Sequence, residues 1–144
     1  MLSRVANSLY WMSRYIERAE NLARLVDVNR YDALESARSL PDSEDLTWDT
    51  LLRVTCADEL YESIKSDMSR LDAGSFIVLS KDNPDSIRQC ISNARESGRM
   101  VRDQISEEMW LDLNRLHLFL QSREAQTVWN QRPEELCKEV IDFC

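Results

Sequence analysis

The chain has 144 residues, 43% of them hydrophobic and 31% charged, with a formal net charge of −8. That acidity argues against the basic face of a nucleic-acid binder and against adhesion to an anionic membrane surface. With only 2 glycines and 3 prolines, the chain lacks the turn punctuation of an all-β fold. It reads as all-α, a bundle of long amphipathic helices with short connecting turns, forming one domain over residues 1–144.

The first segment carries the clearest pattern. Val5, Leu9, Met12, Ile16, Ala19, Ala23 and Val26 recur at alternating spacings of four and three, a helical seam with heptad character. Tyr15 and Leu22 widen the stripe. Ser3 is placed to cap this helix, and Leu40-Pro41-Asp42 reads as its stop and a following turn. A second helical stretch begins at Asp45 to Trp48 and places Leu51, Leu52, Cys56, Leu60, Ile64, Met68 and Leu71 on one face. A break near Ala57-Asp58 is expected, because Asp58 suits the start of a new helix. Ala73-Gly74-Ser75 is expected to end the stretch, and Phe76 to Leu79 forms one helical turn or an extended plug into the core.

Asp82-Asn83-Pro84-Asp85 is a helix start, with Asn83 capping and Pro84 at the first helical position. Ile87, Ile91, Ala94, Gly98, Val101 and Ile105 then repeat the four-three spacing. The small residues Ala94 and Gly98 let another helix approach closely. Ser106 with Glu107 and Glu108 marks a kink or restart, after which Met109, Leu113, Leu116 and Leu120 continue the pattern. Arg132-Pro133-Glu134-Glu135 opens a last short helix with Leu136, Val140, Ile141 and Phe143 on its apolar face.

No apolar run approaches the roughly 20 residues of a membrane span. Met1-Leu2-Ser3-Arg4 lacks the apolar core of a signal peptide, which points to the cytoplasm. Cys56, Cys90, Cys137 and Cys144 are then expected to be free thiols, the first three as small core residues. No C-x-x-C pair and no second histidine beside His117 exists, so no metal and no cofactor is expected. Trp11, Trp48, Trp110 and Trp129 read as core or bundle-edge residues.

The polar residues are ordered too. At about 100° per residue, Glu17, Glu20, Arg24 and Asp27 fall within a strip roughly 80° wide beside the apolar seam, flanked by Arg18 and Asn21. A second strip carries Arg95, Arg99 and Arg102 with Glu96 and Asp103 interleaved. If the strips face each other, the acids of the first meet the arginines of the second. The cluster then serves either as salt bridges at a helix contact or as a polar cavity for an anionic or zwitterionic ligand.

These residues resemble a known family. Met1-Leu2-Ser3-Arg4-Val5-Ala6, Leu9-Tyr10-Trp11-Met12, Arg14-Tyr15-Ile16-Glu17-Arg18-Ala19-Glu20-Asn21 and Ala23-Arg24-Leu25 are similar to the bacterial alpha-E domain family. That family is named for its helical fold and its Glu-Arg motif. Trp48 with Leu51-Leu52, Asp82 to Ile87, Ala94-Arg95-Glu96, Val101-Arg102-Asp103, Glu108-Met109-Trp110 and Leu113-Asn114-Arg115 continue the resemblance in order. Where the family reads Ala-Arg-Glu-Asn-Ala-Arg, this chain has Ser97 and Gly98 at the Asn and second Ala, so a side-chain amide is absent. Family members are typically about twice as long, which implies an N-terminal half, either a natural short form or a truncation.

The resemblance implies a non-catalytic helical partner of an ATP-grasp peptide ligase or a transglutaminase-like peptidase, whose genes accompany the family. The alternative is an enzyme, or enzyme half, that binds a carboxylate-bearing peptide or amino acid at the Glu/Arg cluster. A seam left uncovered by a missing second half predicts a homodimer or assembly with a second-half chain.

Overall fold

The computed structural model describes residues 2–39, 43–65 and 72–144. Eight helices and no strand occur among them: α1 (Leu2–Ser39), α2 (Ser43–Val54), α3 (Asp58–Lys65), α4 (Ala73–Val78), α5 (Ile87–Met100), α6 (Glu107–Gln121), α7 (Arg123–Gln131) and α8 (Pro133–Phe143). The expected stop at Leu40-Pro41-Asp42 and the expected apolar positions Met68 and Leu71 lie outside the described residues.

α1 is the axis of the fold. At 1.5 Å per residue its 38 residues extend about 57 Å, and its seam is covered within the chain, chiefly by α5 and then by α2 and α8. Met12, Ala19, Ala23 and Val26 are buried, with Leu22 and Ala33 beside them, while Leu9 and Ile16 are half-buried. The expectation of an open seam is therefore overturned: three helices of this chain already occupy it. Ser3 lies inside α1 instead of capping it, because serine is only mildly unfavourable within a helix and yields to the helix propagating through it.

α5 runs antiparallel to α1, with Asp85 beside Arg18 and Gly98 against Met12. This is the close approach that Ala94 and Gly98 foretell. α6 returns antiparallel to α5, so that Arg95 meets Asn114 and Arg88 meets Gln121. α8 is antiparallel to α1, since the Cys144 sulfur lies 3.7 Å from the Ile16 carbonyl oxygen while Arg30 reaches Glu134. One buried cluster draws on all eight helices.

Four local expectations are corrected. α2 ends in a Schellman turn, with Ala57 N–H donating to the Leu52 carbonyl at 2.8 Å and Cys56 N–H to Arg53 at 3.0 Å. Cys56 occupies the left-handed position of that turn (φ 55°) and is exposed, so it is no core residue. Ala73-Gly74-Ser75 starts a helix instead of ending one: Asp72 accepts from Ser75 N–H at 2.6 Å and caps α4. Gly74 is there for space, since Trp129 and Trp48 press on its backbone. Residues Gly74 to Val78 are all buried, so Phe76 to Leu79 forms the helical plug.

α5 begins at Ile87 with Ser86 as its cap, three residues after Asn83. Asn83 is buried, donates to the Phe76 carbonyl at 3.2 Å and accepts from Asp85 N–H at 3.1 Å. Its side chain is thus engaged in an Asx turn that fixes α4, and Ser86 takes over the cap by accepting from Gln89 N–H. α5 also stops at Met100, before the expected restart. Val101 leaves helical geometry (φ −126°, ψ 28°), and its N–H bonds to Gly98 in a tight turn. Ser106 does cap α6, accepting from Met109 N–H at 3.1 Å. Finally, α7 has no counterpart in the sequence reading. Ser122 both ends α6 and caps α7 by accepting from Ala125 N–H.

Candidate functional site

The charged residues singled out from the sequence lie on α1, α5 and the turn after α5. On α1 the pairing is mainly local. Glu17 accepts from Arg14 at 2.5 Å, Glu20 from Arg24 at 2.8 Å, and Asp27 from Arg30 at 3.5 Å. These follow the i,i+3 and i,i+4 spacings of one helix face. Asn21 is exposed on the same helix. On α5, Glu96 accepts from Arg95 and is ion-paired with Arg99, both at 3.0 Å. Arg102 and Asp103 sit in the turn beyond α5, where Asp103 accepts from Gln104.

The two strips do not neutralise each other. Among the described residues no ion pair joins Glu17, Glu20 or Asp27 to Arg95, Arg99 or Arg102. Arg95 instead donates to Asn114 on α6 at 2.8 Å, and its guanidinium lies 5.5 Å from the Trp110 ring centre. Arg102 approaches the same ring at 5.1 Å. One indole thus gathers two guanidinium groups, so the second strip is held by α6.

Beside the packed contact of α1 and α5, Arg18, the arginine of Glu17-Arg18, adds an ion pair. It donates to Asp85 at 3.2 Å and lies 5.8 Å from the ring centre of Tyr15. Asp85 belongs to the turn that Asn83 anchors, so Arg18 ties the middle of α1 to the entry of α5. Beside the pair lies a cavity of about 310 Å³, bounded by Leu22, Thr55, Ala57, Ile77 and Asn83. A second hollow of about 400 Å³ separates Trp11 and Tyr15 from Glu96 and Ser97.

The sequence reading missed a largely buried cation, Arg30. The Arg30 side chain is only 14% exposed. It reaches Asp27 and, at 3.9 Å, Glu134 of α8, and it stacks on Tyr31 at 4.5 Å. Its spacing of three from Asp27 was the available signal. In the sequence Asp85 reads as part of a helix start, Asn114 as part of the family match and Trp110 as a core or bundle-edge residue. Their roles depend on partners 67, 19 and 15 residues away, which local spacing does not reveal.

Burial disfavours the thiolate at three of the four cysteines. Burial pushes the Cys90 thiol up to about 11 and the Cys137 thiol up to about 12. Cys144 is likewise pushed up to about 11, by burial first and by Glu20 second. A thiol held protonated is a poor nucleophile and a poor metal ligand. Burial, followed by the Arg95 charge, lowers the His117 pKa. No group of three His, Cys, Asp or Glu side chains able to hold a metal occurs among the described residues. Nor is any helix among them long and apolar enough to cross a membrane.

A family model named Alpha-E, described as a predicted alpha-helical domain with a conserved ER motif, matches residues 1–144. Relatives include uncharacterized protein Mb2597 of Mycobacterium bovis, 31% identical over 125 residues, and uncharacterized protein Rv2567 of Mycobacterium tuberculosis, 30% identical over 125 residues. Each alignment covers 76% of this chain and 14% of the relative, so the chain spans about a seventh of the length of these relatives. No solved structure matches the chain.

Proposed function

The chain belongs to the Alpha-E family, and from that premise we propose that it is a non-catalytic helical module that supports an ATP-grasp peptide ligase or a transglutaminase-like peptidase. The observation that carries this reading is the use of the Glu-Arg motif. Arg18 fastens α1 to the entry of α5 through Asp85, and Glu17 pairs with Arg14 on its own helix. The motif thus adds an ion pair to the packed contact of the two principal helices, in keeping with a scaffold. The protonated thiols and locally paired carboxylates around it fit the same reading. The ligase partnership itself rests on the family resemblance.

An affinity pull-down of this chain from its native extract, read by mass spectrometry, tests the proposal. Recovery of an ATP-grasp ligase or a transglutaminase-like peptidase is expected. Recovery of neither would refute it.

A second reading, ligand binding at the Glu/Arg cluster, draws on the hollow of about 400 Å³ between Trp11 and Glu96. Glu96 lies at its edge and positions Arg95 and Arg99. Calorimetric titration with amino acids and short peptides decides it: binding that Arg95→Ala abolishes without altering helix content favours a ligand site.

A further inference from the structure

A cleft of about 600 Å³ opens between α6, α7 and α8. Its size falls within the range of sites that take a small molecule or a few peptide side chains. Its floor is apolar, with Leu116 and Phe119 from α6, Val128 from α7 and Phe143 from α8. Its rim is charged and unbalanced. Asp112 pairs with Arg115, and Glu135 pairs with Arg132 at 3.0 Å. That leaves Glu124, Glu139 and Asp142, which also line the cleft, with no ion-pair partner among the described residues. Glu139 and Asp142 are three residues apart on one face of α8, and Glu124 faces them from the first turn of α7.

We propose that this cleft docks a basic amphipathic segment of a partner protein, one in which arginine or lysine accompanies leucine or another large apolar residue. Charge complementarity selects this occupant. The apolar side chain fills the floor between Phe119 and Phe143, and the cations neutralise the three free carboxylates. A purely apolar segment would desolvate those carboxylates with nothing to pair them. An acidic segment would be repelled. A simple amine would meet the charge and leave the floor in water. The cleft is bounded on α8 by the exposed Glu135, Glu139 and Asp142 and the half-buried Phe143, beside the core residues Leu136 and Val140, and it is already open. This proposal holds whatever the identity of the partner above.

The test is fluorescence anisotropy with a fluorescein-labelled octapeptide of sequence Leu-Arg-Arg-Leu-Leu-Arg-Arg-Leu, titrated with the full chain. A double variant, Glu139→Gln with Asp142→Asn, removes two rim charges. A second, Glu59→Gln with Glu62→Gln, removes the same charge from the exposed face of α3. The proposal expects saturable binding to the wild-type chain and to the α3 variant. It expects binding about tenfold or more weaker for the α8 variant, with unchanged helix content and melting temperature. If the α8 variant does not fold, Glu124→Gln must weaken binding in the same direction. Absence of saturable binding to the wild type would overturn the proposal. So would equal affinity of all variants, equal weakening by the α3 change, or equal binding of a peptide with Glu in place of Arg.

Discussion

Both glycines of the chain lie within helices, where replacement by alanine ordinarily gains about 1 kcal/mol of helix propensity. Their surroundings make the two outcomes differ. A Cβ at Gly74 would stand 2.5 Å from Trp129 Cζ2, with Trp129 Cη2 and Trp48 Cη2 both at 3.1 Å. Carbon atoms settle near 3.5–4.0 Å, roughly 1 Å farther than the closest of these contacts. Two indole rings on different helices obstruct the methyl, and Trp129 is buried, so neither can yield by turning a terminal atom. Overpacking of this kind costs about 1–3 kcal/mol. Set against the propensity gain, and with two rings to move, Gly74→Ala should lose about 1–2 kcal/mol. At Gly98 the nearest atom is Met12 Sδ at 3.1 Å, with Leu113 Cδ2 at 3.5 Å. A thioether shifts by a few tenths of an ångström at little cost, so Gly98→Ala should be neutral or stabilising by up to about 0.5 kcal/mol. In thermal unfolding followed by circular dichroism, Gly74→Ala should lower Tm by about 3–7 °C, and Gly98→Ala should leave it unchanged or slightly raised. If Gly98→Ala proved the more damaging, the seating of α4 between two tryptophans would be wrong.

Arg30→Ala should cost about 1–2 kcal/mol through the lost Glu134 and Asp27 contacts and the lost stacking on Tyr31, whereas Arg24→Ala, at a 57% exposed side chain, should cost under about 0.5 kcal/mol; urea titrations of both variants measure the contrast. Cys56→Gly should stabilise by about 0.5–1 kcal/mol, because glycine holds the left-handed turn position without Cβ strain and the exposed thiol loses little packing; a lower Tm would contradict that account. Burial and the Arg95 charge lower the His117 pKa, with Glu96 opposing them, so the unfolded chain takes up this proton first. The neutral imidazole's contribution is therefore complete above the unfolded pKa of about 6.5 and is lost as pH falls through the lower folded value. His117→Gln should accordingly reduce the fall in Tm between about pH 7 and about pH 5. Cys90 and Cys137 should resist a thiol reagent in the folded chain and react on unfolding, while the exposed Cys56 reacts in both states; mass spectrometry of the labelled peptides reads this directly.

The long elements were legible because their signal is repeated. α1 shows its seam over seven apolar positions, and the stripe of α6 from Leu113 to Leu120 is buried as its spacing demands. The short elements were not, because their signals are single residues with two meanings. Gly74 reads as a breaker when only sequence is in view, yet its value is the volume it leaves to Trp129 and Trp48. Ser122 looks like a loop residue, yet it terminates one helix and caps the next within a single position. Val101 fits the apolar period of α5 and is buried, but it is buried as a turn residue.

The same division governs the charge cluster. Pairs three or four residues apart, Arg14 with Glu17 and Arg24 with Glu20, are dictated by helix geometry and could be read directly. Such exposed pairs contribute only about 0.2–1 kcal/mol each, so they stabilise α1 without deciding the fold. The contacts that join different elements span long separations: Arg18 with Asp85, Arg30 with Glu134, Arg95 with Asn114. Each takes an arginine from one principal helix to a neutral or acidic partner on the next element around α1 or α5. Arginine suits this task because its fork can serve a carboxylate and an aromatic face together, as Arg18 does with Asp85 and Tyr15. The strip order visible in the sequence therefore marks locally paired faces of α1 and α5, while the contacts between elements come from Arg18, Arg30 and Arg95 with partners that local spacing does not reveal.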